Sequence, residues 1–220
     1  MKICGVTTVA DTLRVVELGA DLIGLNFHAP SPRHLEIEAA AAIVREVSAA
    51  PAFGANGRER PLWVGVFVDR PAAEVDDVAR RVGLDLVQLH GDEAPAEVAP
   101  LAARAIKAFR VERDLAEVDL APWLELGLWG FLVDARAPDV HGGSGRRWDV
   151  ATFAGSPLAA RRTLVAGGLD PETIADAARI AAPWGLDVCS GVESRPGRKD
   201  PDRLHALFQE IDHGTSSSAA

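Results

Sequence analysis

The chain predicts an α/β protein, a single-domain (β/α)8 TIM barrel built on a parallel sheet. Three observations carry this prediction. About eight short apolar runs alternate with helical segments, as this barrel requires. The 220 residues fit one large domain, and no linker divides them. Polar or glycine residues follow the apolar runs, where barrels place their chemistry. A doubly wound open sheet, the rival architecture, normally has fewer units, and no G-x-G-x-x-G follows the first run.

Each predicted strand is a short run of buried character between turn signals. The first strand ends at Cys4, where Gly5 breaks it. The other seven are residues 21–27, 62–68, 86–91, 105–109, 130–134, 163–166 and 186–189.

The helices between these strands are predicted from apolar spacing, alanine content and capping residues. Thr7 or Thr8 caps the first helix and Gly19 ends it, while Pro171 suits the first turn of a later one. The predicted helices cover residues 9–18, 37–47, a stretch after Pro71 through Val82, 95–103, a region at 115–126, 150–154, 171–181 and 200–211.

Two stretches depart from this alternation. Residues 51–61 contain glycines and charges, which predicts a surface connection with little order. The tail, residues 212–220, is rich in serine and alanine and has little to bury, so it is expected to be disordered. The catalytic barrel domain is therefore expected to span residues 1–211.

Composition narrows the classes of function. The net charge of −9 argues against broad nucleic-acid binding, which needs clustered positive charge. No apolar run approaches the roughly 20 residues that cross a bilayer, and no apolar stretch follows Lys2 to form a signal peptide. Two cysteines, Cys4 and Cys189, form no disulfide framework in a chain of this size. The cytoplasm is the expected location, without membrane or nucleic-acid partners.

Two strand-end residues can exchange protons with a substrate. Cys4 can act as a base in its thiolate form, and Asp134 can act as an acid if burial raises its pKa. They end the first and sixth strands, so they can face each other across the barrel mouth. Each also has an ordinary structural explanation, as a core thiol and as a solvated loop carboxylate.

Three glycine clusters follow the last three strands. Glycine lets the backbone approach a ligand and present N–H donors to an anion, and barrels often hold phosphate with the loops after strands seven and eight. Arg33, in the loop after the second strand, has the shape to bind a substrate carboxylate. The predicted phosphate-binding residues are Gly143, Ser144, Gly145, Gly167, Gly168, Ser190 and Gly191.

No metal site and no cofactor are expected. Cys4 and the histidines His28, His34 and His90 lack the close spacing of zinc ligands. Cys189 is interpreted as a small strand-end or core residue, not as a second catalytic thiol.

Eight ordered motifs together resemble phosphoribosylanthranilate isomerase of tryptophan biosynthesis, over residues 1 to about 211. They are Lys2-Ile3-Cys4-Gly5-Val6-Thr7, Ser31-Pro32-Arg33, Val64-Gly65-Val66-Phe67-Val68, Val87-Gln88-Leu89-His90-Gly91, Leu132-Val133-Asp134, Gly142-Gly143-Ser144-Gly145, Val165-Ala166-Gly167-Gly168-Leu169 and Asp187-Val188-Cys189-Ser190-Gly191-Val192-Glu193.

The resemblance implies a (β/α)8 barrel and an Amadori rearrangement of a small phosphorylated aminosugar, N-(5′-phosphoribosyl)anthranilate. It implies Asp134 as the general acid, Cys4 as the general base and Arg33 as the ligand of the anthranilate carboxylate. Gln88 and His90 match a motif that faces the substrate. The glycine clusters would hold the 5′-phosphate. Whether the protein is a monomer or a homodimer stays open.

Some residues depart from the family pattern, and two other functions are open. Asn26, His34 and Cys189 replace an apolar residue, an aromatic hydroxyl and a serine, and the 51–61 stretch is longer than usual. A related barrel acting on a histidine-pathway aminoaldose would usually have aspartate in place of Cys4. A phosphate-binding barrel without catalysis would not need both Cys4 and Asp134.

Overall fold

The computed structural model describes residues 1–51, 60–111, 118–134 and 153–217, with side chains up to residue 211. Eight parallel strands form a closed barrel in chain order, from β1 to β8. The predicted fold class is therefore confirmed. The strands are β1 (Lys2–Cys4), β2 (Leu22–Asn26), β3 (Leu62–Phe67), β4 (Leu86–Leu89), β5 (Ala105–Arg110), β6 (Gly130–Asp134), β7 (Thr163–Ala166) and β8 (Gly185–Val188).

Helices connect these strands on the outside of the barrel. They are α1 (Val9–Glu17), α2 (Ile37–Ser48), α3 (Ala72–Val82), α4 (Pro95–Val98), α5 (Ala121–Leu124), α6 (Ile174–Ala181) and α7 (Pro201–Ser217). Short 3-10 helices cover Ala99–Arg104, Pro157–Ala160 and Ser190–Val192. A hairpin of β9 (Glu193–Arg195) and β10 (Arg198–Lys199) follows β8 and pairs antiparallel. No described helix is long and apolar enough to cross a membrane.

The barrel closes where β1 pairs with β8. In this register Lys2 lies opposite Asp187 and Ile3 opposite Val188. Successive side chains of a strand point to opposite faces of the sheet. Ile3 points outward into the core beneath the helices, so the side chains of Lys2 and Cys4 face the barrel interior. Below the mouth of the barrel, the interior of the other strands is apolar, with Leu22, Val64, Leu86, Ile106, Ala108, Leu132, Leu164 and Ala166 in one buried cluster. The closing seam is thus the place where a buried ion pair, Lys2–Asp187, enters the interior below the mouth.

The structure differs from the predicted helices at several ends. The predicted helix 95–103 divides into α4 and a 3-10 helix, because Pro100 has no N–H to donate to the Ala96 carbonyl and its ring disfavours the α-helix. Helix α6 starts at Ile174, not Pro171, since the Asp170 carboxylate accepts the N–H groups of Glu172 and Thr173 in a turn.

The last helix runs to Ser217, past the predicted end at Ile211. No proline interrupts residues 202–217, and adding residues to a formed helix costs little. Thr8 is confirmed as the cap of α1, since its hydroxyl accepts from the Asp11 N–H at 3.2 Å. The predictions for residues 52–59, 112–117, 135–152 and 218–220 lie outside the described residues.

Candidate active site

A cavity of about 400 Å³ opens at the carboxyl ends of the strands. Each of the eight strands, or the segment after it, contributes to the wall, and β5 does so through Arg110 at its last position. Eight of the predicted site residues line this cavity: Cys4, Arg33, Gln88, His90, Asp134, Gly167, Gly168 and Ser190. Gly191 directly follows Ser190, and Gly143, Ser144 and Gly145 lie outside the described residues.

Cys4 is a buried thiol at the end of β1. The neighbouring strand makes room for it with Gly24, where a Cβ would lie 2.7 Å from the Cys4 Sγ. The pKa of Cys4 is held well below its ordinary value, chiefly by a hydrogen bond from the Cys189 thiol. Burial opposes this effect, and the charges of Lys2 and Lys199 add to it. The site therefore favours the thiolate, which is the form that can accept a proton.

Lys2 and Asp187 form a buried ion pair below the thiol, with Nζ and Oδ2 2.8 Å apart. Burial lowers the pKa of Lys2, but Asp187 and Cys4 raise it by more, so the ammonium stays charged. Burial raises the pKa of Asp187 to about 6, against the charge of Lys2. The ammonium of this pair is fixed two residues before Cys4, on the same face of β1.

Asp134 ends β6 and is contacted by a histidine. His90 Nε2 lies 3.4 Å from Asp134 Oδ2, and His90 Nδ1 lies 3.0 Å from Gln88 Nε2. With the Gln88 amide in this orientation, Nδ1 accepts its N–H, so a neutral His90 carries its proton on Nε2 and points it at Asp134. Arg110 also holds this histidine in place, because its Nη2 donates a hydrogen bond of 2.6 Å to the backbone carbonyl oxygen of His90.

Two buried acceptors on the cavity wall have no hydrogen-bond partner among the described residues. They are Gln88 Oε1 and Asp187 Oδ1. A buried acceptor without a donor costs free energy, and such groups in a cavity are available to the donors of a ligand.

Arg33 is held by a carboxylate of the β9 strand. Its Nε and Nη2 donate to the two oxygens of Glu193 at 2.8 and 2.5 Å. This bond raises the pKa of Arg33 above its ordinary value, although burial lowers it. Glu193 also accepts from Lys199 Nζ at 3.1 Å and from the Gly197 N–H at 3.3 Å. The opposite edge of the guanidinium, formed by Nη1 and Nη2, is the one placed to receive a second carboxylate.

Backbone geometry after β7 and β8 depends on glycine. Gly167 and Gly168 have φ values of 107° and 65°, in the left-handed region. A Cβ on Gly191 would lie 2.0 Å from the Leu169 carbonyl oxygen, so the two loops approach each other too closely for a side chain. The two loops therefore bring exposed backbone together at one end of the cavity.

Four charged residues of this site were missed by sequence reasoning: Lys2, Asp187, Glu193 and Lys199. For Lys2 and Asp187 the available signal was a charged residue two positions before a predicted strand end, as in Lys2-Ile3-Cys4 and Asp187-Val188-Cys189, whereas Glu193 and Lys199 follow the last barrel strand and have no such signal. Alternation places such a residue inside the barrel. Among the described residues, no group of three or more histidine, cysteine or acidic side chains is arranged to hold a metal ion.

Fold and cavity together define the class: a (β/α)8-barrel protein with a thiol and a carboxyl at the mouth where barrel enzymes place their catalytic groups. The family model for N-(5′-phosphoribosyl)anthranilate (PRA) isomerase matches residues 1–210, and the chain belongs to this family of isomerases.

Named relatives agree with this family. The N-(5′-phosphoribosyl)anthranilate isomerase of Citrifermentans bemidjiense is 43% identical over 212 residues, covering 96% of this chain and 95% of the relative. The one of Pelobacter propionicus is 44% identical over 211 residues, with coverages of 95% and 93%.

Solved structures of the same family have the same barrel. Phosphoribosyl anthranilate isomerase from Thermotoga maritima superimposes with a TM-score of 0.81 at 34% identity, covering 96% of this chain and 98% of that one. A family structure in complex with reduced 1-(o-carboxyphenylamino)-1-deoxyribulose 5-phosphate gives a TM-score of 0.78 at 31% identity, with coverages of 96% and 97%.

Proposed function

We propose that this enzyme performs the isomerase step of tryptophan biosynthesis by general acid–base catalysis with Asp134 and Cys4. The substrate is N-(5′-phosphoribosyl)anthranilate, and the product is 1-(2-carboxyphenylamino)-1-deoxyribulose 5-phosphate. The observation that carries the proposal is that one cavity of about 400 Å³ joins both groups to Arg33 and to the glycine loops.

Asp134 is proposed to begin the reaction as the general acid. Its carboxylic acid protonates the furanose ring oxygen, the C1′–O bond breaks, and the ring opens to a protonated Schiff base. His90 supports this role, because its Nε2–H is directed to Oδ2 and leaves Oδ1 to carry the transferred proton.

Cys4 is proposed to complete the reaction as the general base. Its thiolate removes the proton from C2′, which the adjacent iminium acidifies, and the electrons of the C–H bond form an enolamine. Tautomerisation then adds a proton at C1′ and removes one from the 2′-hydroxyl, which gives the aminoketose. The lowered pKa of Cys4 supports this role, because it favours the thiolate, which is the form that accepts a proton.

The remaining groups are proposed to bind the substrate. The outer edge of Arg33 takes the anthranilate carboxylate while Glu193 holds the inner edge. The unpartnered oxygens of Gln88 and Asp187 accept hydrogen bonds from the ribose hydroxyls. The backbones at Gly167-Gly168 and Ser190-Gly191 receive the 5′-phosphate, together with Gly143–Gly145. Two free thiols fit a reducing compartment, which supports the cytoplasm as the location.

Turnover is measured by the loss of anthranilate fluorescence, since the product fluoresces far less than the substrate. We expect Cys4→Ala and Asp134→Asn each to lower kcat by about 10²–10⁴-fold with an unchanged unfolding midpoint, because each removes one proton transfer. Asp176→Asn, which neutralises an exposed carboxylate on α6, is the control and should turn over normally. Near-normal turnover by either site variant would reject its assigned role, and no turnover by the unmodified protein would reject the function.

A further inference from the structure

Cys189 lies beside the thiol that the reaction uses. In the closing seam, Ile3 of β1 lies opposite Val188 of β8. The residues that follow them are Cys4, at the end of β1, and Cys189, directly after β8. Neighbouring strands are about 4.8 Å apart, and both side chains face the same cavity. A hydrogen bond between the two thiols is the largest influence on the pKa of each, lowering the pKa of Cys4 and raising that of Cys189.

The surrounding charges decide which of the two sulfurs carries the proton. Lys2 of β1 acts on Cys4 from below, and Lys199 of β10 lies near both sulfurs. Lys199 Nζ donates to the Cys189 carbonyl at 2.9 Å and to Glu193, so it is tied to the Cys189 backbone. Arg33, from the loop after β2, adds a cation, and Asp187 adds a carboxylate that Lys2 pairs. Lys199 and Arg33 act to lower the pKa of Cys189, but Lys2 acts on Cys4 alone, both through its charge and as a hydrogen-bond donor. This interaction of Lys2 favours the negative charge on Cys4 and the proton on Cys189.

We propose that Cys189 is a positioning residue whose S–H donates a hydrogen bond to the Cys4 sulfur and holds the thiolate at the cavity wall. The proposal rests on the proposed function in assigning Cys4 as the base. A thiolate has no proton to donate, so a donor on the next strand fixes its position without competing for the C2′ proton. Cys189 itself takes no part in the proton transfers.

The test compares Cys189→Ala with Cys189→Ser, which differ only by a hydroxyl donor. The first readout is the rate at which iodoacetamide alkylates Cys4 in the free enzyme, followed by peptide mass analysis from pH 5 to 10. We expect the Cys4 alkylation profile of Cys189→Ala to move up by about one to two pH units, the size of a hydrogen bond to a charged group. Cys189→Ser keeps the donor, so its profile should stay within about half a unit of the unmodified enzyme.

The second readout is the acid limb of kcat/KM, which should follow the same order in both variants. Equal profiles for the alanine variant and the unmodified enzyme would overturn the proposal. Equal shifts in the alanine and serine variants would also overturn it, because packing and not the donor would then be responsible. Alkylation needs no substrate, so it tests the thiol pair separately from the function. A shifted alkylation profile in a protein without isomerase turnover would reject the proposed function but support the hydrogen bond between Cys189 and Cys4.

Discussion

Replacing Glu193 with glutamine removes the anion that holds Arg33, the proposed ligand of the substrate carboxylate. Glu193 is 8% exposed and accepts hydrogen bonds from Arg33, Lys199 and the Gly197 backbone. Glutamine has nearly the same size, but it offers one acceptor oxygen and turns two N–H donors toward cations. Both cations then lose their counter-charge in a partly buried setting.

The expected loss of stability follows from the burial of this cluster. Removing one member of a buried ion pair costs about 3–5 kcal/mol, because the partner stays buried without compensation. For a chain of 150–250 residues, about 2–4 °C of melting temperature corresponds to each kcal/mol. We therefore expect the Tm of Glu193→Gln to fall by about 6–20 °C at pH 7.

The stability loss should depend on pH in a fixed direction. Burial raises the pKa of Glu193, but the hydrogen bond from Arg33 and the charge of Lys199 lower it below the ordinary value of 4.5. A depressed pKa in the folded state gives stabilisation that is present above pH 4.5 and is lost as the pH falls further. The Tm difference between the two proteins should therefore narrow below pH 4.5.

Calorimetric melts and steady-state kinetics check this reasoning. Glu172→Gln, at an exposed position in the turn before α6, is the control and should leave both unchanged. We expect the KM of Glu193→Gln to rise by about tenfold or more with a smaller change in kcat, because Arg33 is proposed to bind the substrate and not to react with it. An unchanged KM, together with a Tm within about 2 °C of that of the unmodified enzyme, would refute the role of Glu193, because such a small Tm change corresponds to about 1 kcal/mol or less.

Two glycine substitutions probe the close approaches at the cavity, with Gly155→Ala as the control because nothing lies within 4 Å of its Cβ position. Gly24→Ala puts a Cβ 2.7 Å from the Cys4 Sγ, so the thiol must move. We expect kcat to fall by about 10²-fold with little change in KM, because the proposed base is displaced from the substrate. A normal kcat would contradict this geometry. Gly191→Ala puts a Cβ 2.0 Å from the Leu169 carbonyl oxygen and separates the loops after β7 and β8. It should raise the inhibition constant of inorganic phosphate and the KM by about tenfold, whereas unchanged inhibition would place the phosphate elsewhere.

The barrel was predictable because its signals are local. Short apolar runs and caps such as Thr8 identify strands and helices within a window of a few residues. The helix ends were less predictable, since Pro100 and the Asp170 turn act within patterns that otherwise continue as helix. The strand-end rule also brought Cys4 and Asp134 to one cavity.

The electrostatic setting of the site was not predictable in the same way. Arg33 and Glu193 are 160 residues apart, and Lys2 and Asp187 are 185 apart. Their pairing depends on which strands close the barrel and on the register there, and neither is encoded in a local window. The pairing of Arg33 with Glu193 and the neighbouring positions of Cys4 and Cys189 became visible only with that closure.

The seam between β1 and β8 also sets when the enzyme can begin to work during synthesis. Cys4, the proposed base, lies near the start of the sequence, and most groups that tune it lie near its end; Lys2 and Asp187, which pair in this seam, are 185 residues apart. A nascent chain with only its first six or seven strands outside the ribosome contains both proposed proton-transfer groups, but Cys4 then lacks Cys189 and Lys199. The groups that lower the pKa of Cys4 are therefore complete only when the last strands have been made.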